Sequence, residues 1–300
     1  MDKDAEVYVA GTGPMRLEPL RVPWAASALL IGLIVWLYGT VFLRLVAQWW
    51  SDPNYSHGFL VPLFSAFILW RRRRELLALQ PTPSSWGLVI VAFSLSLLVA
   101  GVLGAELFLS RISIVFLIAG MAVCFFGWDH LRASFFPWIF LFLMVPVPAI
   151  LLNQITLPLQ TFSSRVASTL LPLLGVPVLR QGDVINLPSM ALEVAEACSG
   201  LRSLVSLTTL AIIYGYGTQS EVWVRITLAL LAIPIAVVAN SARIIGTGLL
   251  VHYSDPGMAE GFFHFFSGLV VFLVSTGALI VVSQCLTAMA RKGAHSCPSN

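Results

Sequence analysis

Residues 57–74 read HGFLVPLFSAFILWRRRR, an apolar run that stops abruptly at Arg71, Arg72, Arg73 and Arg74. Such a run is a membrane segment whose end is held in water by four permanent cations. Lys and Arg in short loops stay on the cytoplasmic side, so this cluster also sets the orientation of the chain. Composition agrees: 58% of the 300 residues are hydrophobic and 10% are charged, with a mean hydropathy of +0.89. A soluble domain devotes about a quarter of its residues to charge, and this chain has too little to cover a water-facing surface. The net charge of +3 is too small and too scattered for a nucleic-acid footprint. Cys124, Cys198, Cys285 and Cys297 are far apart and lack metal-ligand spacing, so neither a disulfide framework, nor a metal, nor any other cofactor is expected.

Outward from that stretch, apolar windows near 24–43, 57–71, 86–104, 108–127, 133–152, 201–217, 224–250 and 265–288 predict about eight crossings. Met1 to Arg21 carries Asp2, Asp4, Glu6 and Glu18 and lacks a small-residue cleavage site, so it is not read as a removable signal. With the four arginines inside, Arg132, Arg225, Arg291 and Lys292 also fall at cytoplasmic ends. The expected organisation is one polytopic domain over 1–300, with cytoplasmic tails at 1–23 and 289–300 and an extracytoplasmic segment at 153–200. The fold class is an all-α integral membrane protein with a small β-containing cap and an interfacial amphipathic helix.

The helix is expected at Gln154 to Leu174, where Leu157, Leu159, Phe162, Val166, Leu170 and Leu171 are mixed with Gln160, Ser163, Ser164 and Arg165. From Val176 to Leu187 apolar and polar residues alternate around Gly182-Asp183, the pattern of a hairpin, and Leu192-Glu193-Val194 is a further strand.

Three groups on the extracytoplasmic side carry candidate chemistry. Glu196-Ala197-Cys198-Ser199-Gly200-Leu201-Arg202 sets a thiol between a strand and the start of an apolar helix. There unpaired backbone N–H groups, the helix dipole and Arg202 would favour the thiolate. Asn240-Ser241-Ala242-Arg243 places a five-donor cation near the outer end of a span, suited to a carboxylate, a phosphate or an oxyanion. Gly261-Phe262-Phe263-His264-Phe265-Phe266-Ser267-Gly268 places an imidazole at the start of the last span. Taken singly, a membrane cysteine is packing, an arginine a helix clamp, and an interfacial histidine unremarkable. A thiol, a proton-moving imidazole and an oxyanion-stabilising cation on one face are the parts of acyl transfer. A fourth motif, Asp52-Pro53-Asn54-Tyr55-Ser56-His57-Gly58, reads as an ordered outer turn entering a helix, and His57 competes for the role of base.

On these four ordered motifs, over roughly residues 45–275, the chain resembles the exosortases, polytopic membrane cysteine transpeptidases. The resemblance implies Cys198, Arg243 and His264 as the catalytic set, with Arg202, Asn240, Ser241, His57 and Tyr55 in binding or supporting positions. It also implies substrates that are exported proteins with a C-terminal sorting motif such as Pro-Glu-Pro, a transmembrane helix and a basic cluster. The implied location is a bacterial cytoplasmic (inner) membrane, with the site facing the periplasm. Against this stand two readings without thiol chemistry, a polytopic transporter in which Arg243 binds an anion and an envelope-polysaccharide assembly factor. Both survive loss of Cys198.

Overall fold

A computed structural model describes residues 24–193, 200–254 and 262–295. By its internal contacts the chain divides into two units, residues 1–40 and 41–300. The described part of the first is the N-terminal portion of helix α1, Trp24–Ser51, an apolar helix whose side chains from Leu29 to Trp36 are mostly exposed, as in lipid. The second unit holds everything considered below.

After α1 come a short 3-10 turn, Ser56–Phe59, then α2 (Leu60–Arg71) and α3 (Arg73–Ala78). Helices α4 (Trp86–Leu103) and α5 (Leu107–Phe125) form a hairpin. Their backbones approach closely because Gly87, Gly101 and Gly120 lie at the crossing: an added methyl at Gly87 would overlap the backbone at Cys124 and Gly120, and one at Gly101 the Ser110 nitrogen. Small residues at contacts are how membrane helices gain packing energy without a hydrophobic drive. Ser94 Oγ completes the pair by donating to the Ser113 carbonyl at 2.7 Å.

Helices α6 (Trp128–Ala133) and α7 (Phe135–Phe140), a 3-10 turn at Leu141–Met144, and α8 (Ala149–Leu173) follow. The expected span at 133–152 is thereby corrected, whereas the helix expected at 154–174 is present and starts five residues earlier, at Ala149. The segment ending at Met144 and α8 meet at a bend of 94°, and α8 starts at Ala149, inside the predicted span. The cause is Val145-Pro146-Val147-Pro148. Residues before proline are driven from helical to extended backbone, as at Val145 with ψ 118°, and Pro148 then opens the new helix.

The predicted hairpin and further strand are present and form a small cap. Strands β1 (Leu179–Gln181), β2 (Val184–Asn186) and β3 (Ala191–Glu193) form an antiparallel sheet in the order β1-β2-β3. Gln181 pairs with Val184 across the two-residue turn Gly182-Asp183, where Gly182 holds φ at +68°, a conformation that glycine adopts without strain. The remaining helices are α9 (Gly200–Thr218), α10 (Val222–Tyr253) and α11 (Phe262–His295). Leu207 and Ala211 of α9, Leu228, Ala232 and Ala236 of α10, and Leu279 of α11 share one core.

Among the described residues, five helices are long and apolar enough to cross a membrane, or six if the bent pair is one span, where the sequence predicts eight. The predicted spans at 57–71 and 201–217 correspond to α2 and α9. Helix α2 has 12 residues, about 18 Å of rise against a hydrocarbon core of about 30 Å.

Candidate active site

Helix α10 carries the best-defined candidate residue. Its buried residues Leu228, Ala232 and Ala236 recur every fourth position and face α9 and α11. Continued by another turn, this stripe reaches Asn240 and then Arg243, both buried, with Arg243 only 6% exposed. The helix face that makes the apolar core thus turns polar near its C-terminal end. There the Arg243 guanidinium lies against Gly268 of α11: a methyl added at Gly268 would sit 3.3 Å from Nη2 and 3.4 Å from Cζ. Ser241, also buried, donates to the Val237 carbonyl of its own helix at 2.9 Å.

The adjoining face of α10 seats the cap. Ile244 and Val251 join Ala167 and Leu171 of α8 and Ile185 and Leu192 of the sheet in one cluster, and Leu171 packs onto Gly248. Tyr253 Oη donates to the Leu174 carbonyl at 3.1 Å. Leu192 on β3 therefore packs in the same cluster as the residue next to Arg243.

Cys198 lies in residues 194–199, outside the described residues, between β3 and the start of α9 two positions later. Of the flanking elements, α9 packs on α10 through Leu207 and Ala211, and β3 shares a buried cluster with α10 through Leu192. Arg202 occupies the first turn of α9 and His264 the first turn of α11. Position 264 precedes Gly268 by four residues, one helical turn on the same face. Arg243 is 18 positions along α10 from Arg225, about 27 Å of rise, close to the thickness of a hydrocarbon core.

Tyr55 and His57 form a second polar group around the bend at 145–148. Asp52 Oδ1 accepts from the Asn54 N–H at 2.9 Å, closing the turn that the Asp-Pro pair predicts. The motif then docks on the unravelled segment. Tyr55 Oη donates to the Val147 carbonyl at 3.3 Å, His57 Nε2 lies 3.3 Å from the Leu143 carbonyl, and Trp49 Nε1 donates to the Met144 carbonyl at 2.9 Å. Carbonyls that a helix would have used are satisfied by this motif instead. Gly58 is obligatory here, because an added methyl would overlap the Trp49 indole. Burial holds the His57 imidazole below its ordinary value, with bonds to the Leu143 and Asn54 backbone only partly opposing this. Burial, helped by Asp52, raises the Tyr55 phenol.

Arg111 of α5 stands beside this group and is missed by a reading based on motifs. It is 4% exposed, and its charge acts on Tyr55. The available signal was an ionisable residue inside an apolar span. Cys124, by contrast, packs against Gly87, as a small apolar side chain would.

The sequence model of the transmembrane exosortases matches residues 49–281, and the chain belongs to that family. It is thus a multi-pass membrane protein of a family of membrane peptidases and transpeptidases acting on exported proteins. No curated protein and no solved structure matches it.

Proposed function

We propose that the protein is a thiol-dependent transpeptidase or peptidase that removes C-terminal sorting signals of the Pro-Glu-Pro type from exported proteins. It works at the outer face of a bacterial inner membrane, with residues 1–23 and 289–300 in the cytoplasm. The substrate's transmembrane tail docks beside the helices and brings its sorting motif to the surface. The Cys198 thiolate attacks the scissile carbonyl, and Arg243 stabilises the tetrahedral oxyanion. The C–N bond then breaks, His264 protonates the departing amine, and a thioester remains. Water or an acceptor amine resolves it and regenerates the thiol. Arg202, Asn240 and Ser241 support the site, while Tyr55 and His57 shape its surroundings by fixing the bent segment.

The observation that carries this reading is Arg243, buried against Gly268 one turn from position 264 and next to Ile244, which shares a buried cluster with Leu192 of the strand that precedes Cys198 in the chain. Co-expression with a tagged candidate substrate, read by the size of the product, tests it. Cys198→Ala should abolish tail removal at near-normal membrane abundance, whereas replacement of Cys124, Cys285 or Cys297 should not. Processing that persists without Cys198 removes the thiol mechanism. Reporter fusions after Arg74 and Arg225 should behave as cytoplasmic, and a fusion near Asp183 as extracytoplasmic; a cytoplasmic Asp183 fusion removes the shared outer face.

A further inference from the structure

At the end of α10 opposite to Arg243, a cleft of about 460 Å³ opens between α2 and the turn joining α9 to α10. That volume lies in the range of small-molecule sites, roughly 300–1,000 Å³. Its lining brings together Arg71, Arg72 and Arg225 with a single acid, Glu75. Two of the cations are held in place. Arg72 pairs with Glu75 at 2.9 Å and donates to the Ala133 carbonyl at 2.7 Å. Arg225 donates to the Gln219 and Ser220 carbonyls and lies over the Tyr216 ring, which is itself stacked on Phe136 at 4.0 Å. Arg71 makes no hydrogen bond or ion pair among the described residues. One carboxylate facing three guanidinium groups leaves a surplus of positive charge in a site with a built floor. Arg73 and Arg74 belong to the same run but lie outside the cleft, and Arg73 sits over Trp70.

The rim is apolar on the α2 side. Phe64 and Phe67 line the cleft there, and Phe67 exposes about half of its surface, as a side chain that meets acyl chains does. We propose that this cleft binds the phosphate of an anionic phospholipid, with the phosphate between Arg71 and Arg225 and the acyl chains along Phe64 and Phe67. Guanidinium forks match phosphate oxygens in geometry as well as charge. Basic pockets between helices on the cytoplasmic side, which the arginine run marks here, receive lipid head groups. A free phosphate would satisfy the arginines but would leave the apolar rim without a role. The site is independent of the reading of Cys198.

The test uses the purified full-length protein in mild detergent, titrated with phosphatidylglycerol, phosphatidylcholine or inorganic phosphate, with bound lipid counted by native mass spectrometry. Phosphatidylglycerol should be retained in preference to phosphatidylcholine. Arg71→Gln should weaken it about fivefold, the effect of one arginine near an anionic head group, and Arg71→Gln with Arg225→Gln by more. Arg73→Gln with Arg74→Gln should change it less than about twofold. Equal losses in the two pairs would reduce the cleft to diffuse surface attraction. Saturation by inorganic phosphate without preference between the lipids would make it a free-anion site. Either result overturns the proposal. Arg225 also holds the α9–α10 turn, so should the double variant fail to fold, Arg71→Gln alone decides, having no hydrogen bond or ion pair among the described residues to lose.

Discussion

The Arg243 guanidinium lies on Gly268, with Nη1, Nη2 and Cζ all within 3.3–3.5 Å of where a methyl at position 268 would sit. Glycine is therefore the seat of the cation. Gly268→Ala should displace it by a few tenths of an ångström and slow substrate processing by about tenfold, and Gly268→Val by more, since misplacement of about 1 Å can reduce rate by about 100-fold. Initial processing rates at matched membrane abundance measure this. Unchanged rates in Gly268→Val would place Arg243 outside the reacting geometry.

Arg243→Lys separates directed donors from simple charge, because lysine keeps the cation and loses the planar fork. Turnover should fall on the order of 100-fold, as for loss of one oxyanion donor, while co-purification of substrate changes less. Equal losses of binding and rate would recast Arg243 as a docking group. Wild-type processing would make it a helix clamp.

Gly58→Ala should destabilise the protein by about 1–3 kcal/mol, the usual effect of overfilling a packed site, because the new methyl collides with the Trp49 indole. Thermal unfolding in detergent measures the change. Trp49→Phe in the same background should recover part of the loss by removing the collision. The recovery is partial because the Met144 carbonyl then lacks its donor.

His57 makes stability depend on pH in a defined direction. Burial holds its folded-state pKa below the ordinary 6.5, so the unfolded chain takes up the proton first as pH falls. Its stabilising contribution is complete above about pH 6.5 and is lost as pH drops through that value toward the lowered folded pKa. The apparent melting temperature should fall over this window, and His57→Gln should flatten that fall. An identical pH profile in His57→Gln would show that another group titrates.

Much of the fold was legible because its signals are local. The hairpin at Gly182-Asp183 follows from alternation and one glycine with positive φ, and the apolar runs follow from composition over a single helix. Where the reading missed, it treated 133–152 as a continuous span because hydropathy averages over Pro146 and Pro148, whose effect is a 94° bend. The segment 52–58 was legible as an ordered turn, but its partners, the carbonyls of Leu143 and Val147, lie 86 and 92 residues away. Arg111 was passed over because no neighbouring residue forms a motif with it.

The sequence by itself determined that the chain is a membrane protein, which ends of its apolar runs carry the cations, and which residue types could perform acyl transfer. These depend on counts and on spacing within one helix or turn, where the backbone fixes the geometry. Only the tertiary structure decided that Arg243 rests on Gly268, that Leu192 packs in one cluster with Ile244, and that Arg71, Arg72 and Arg225 share one cleft. Each of the three joins segments far apart in the chain, through close packing that hydropathy and periodicity do not encode.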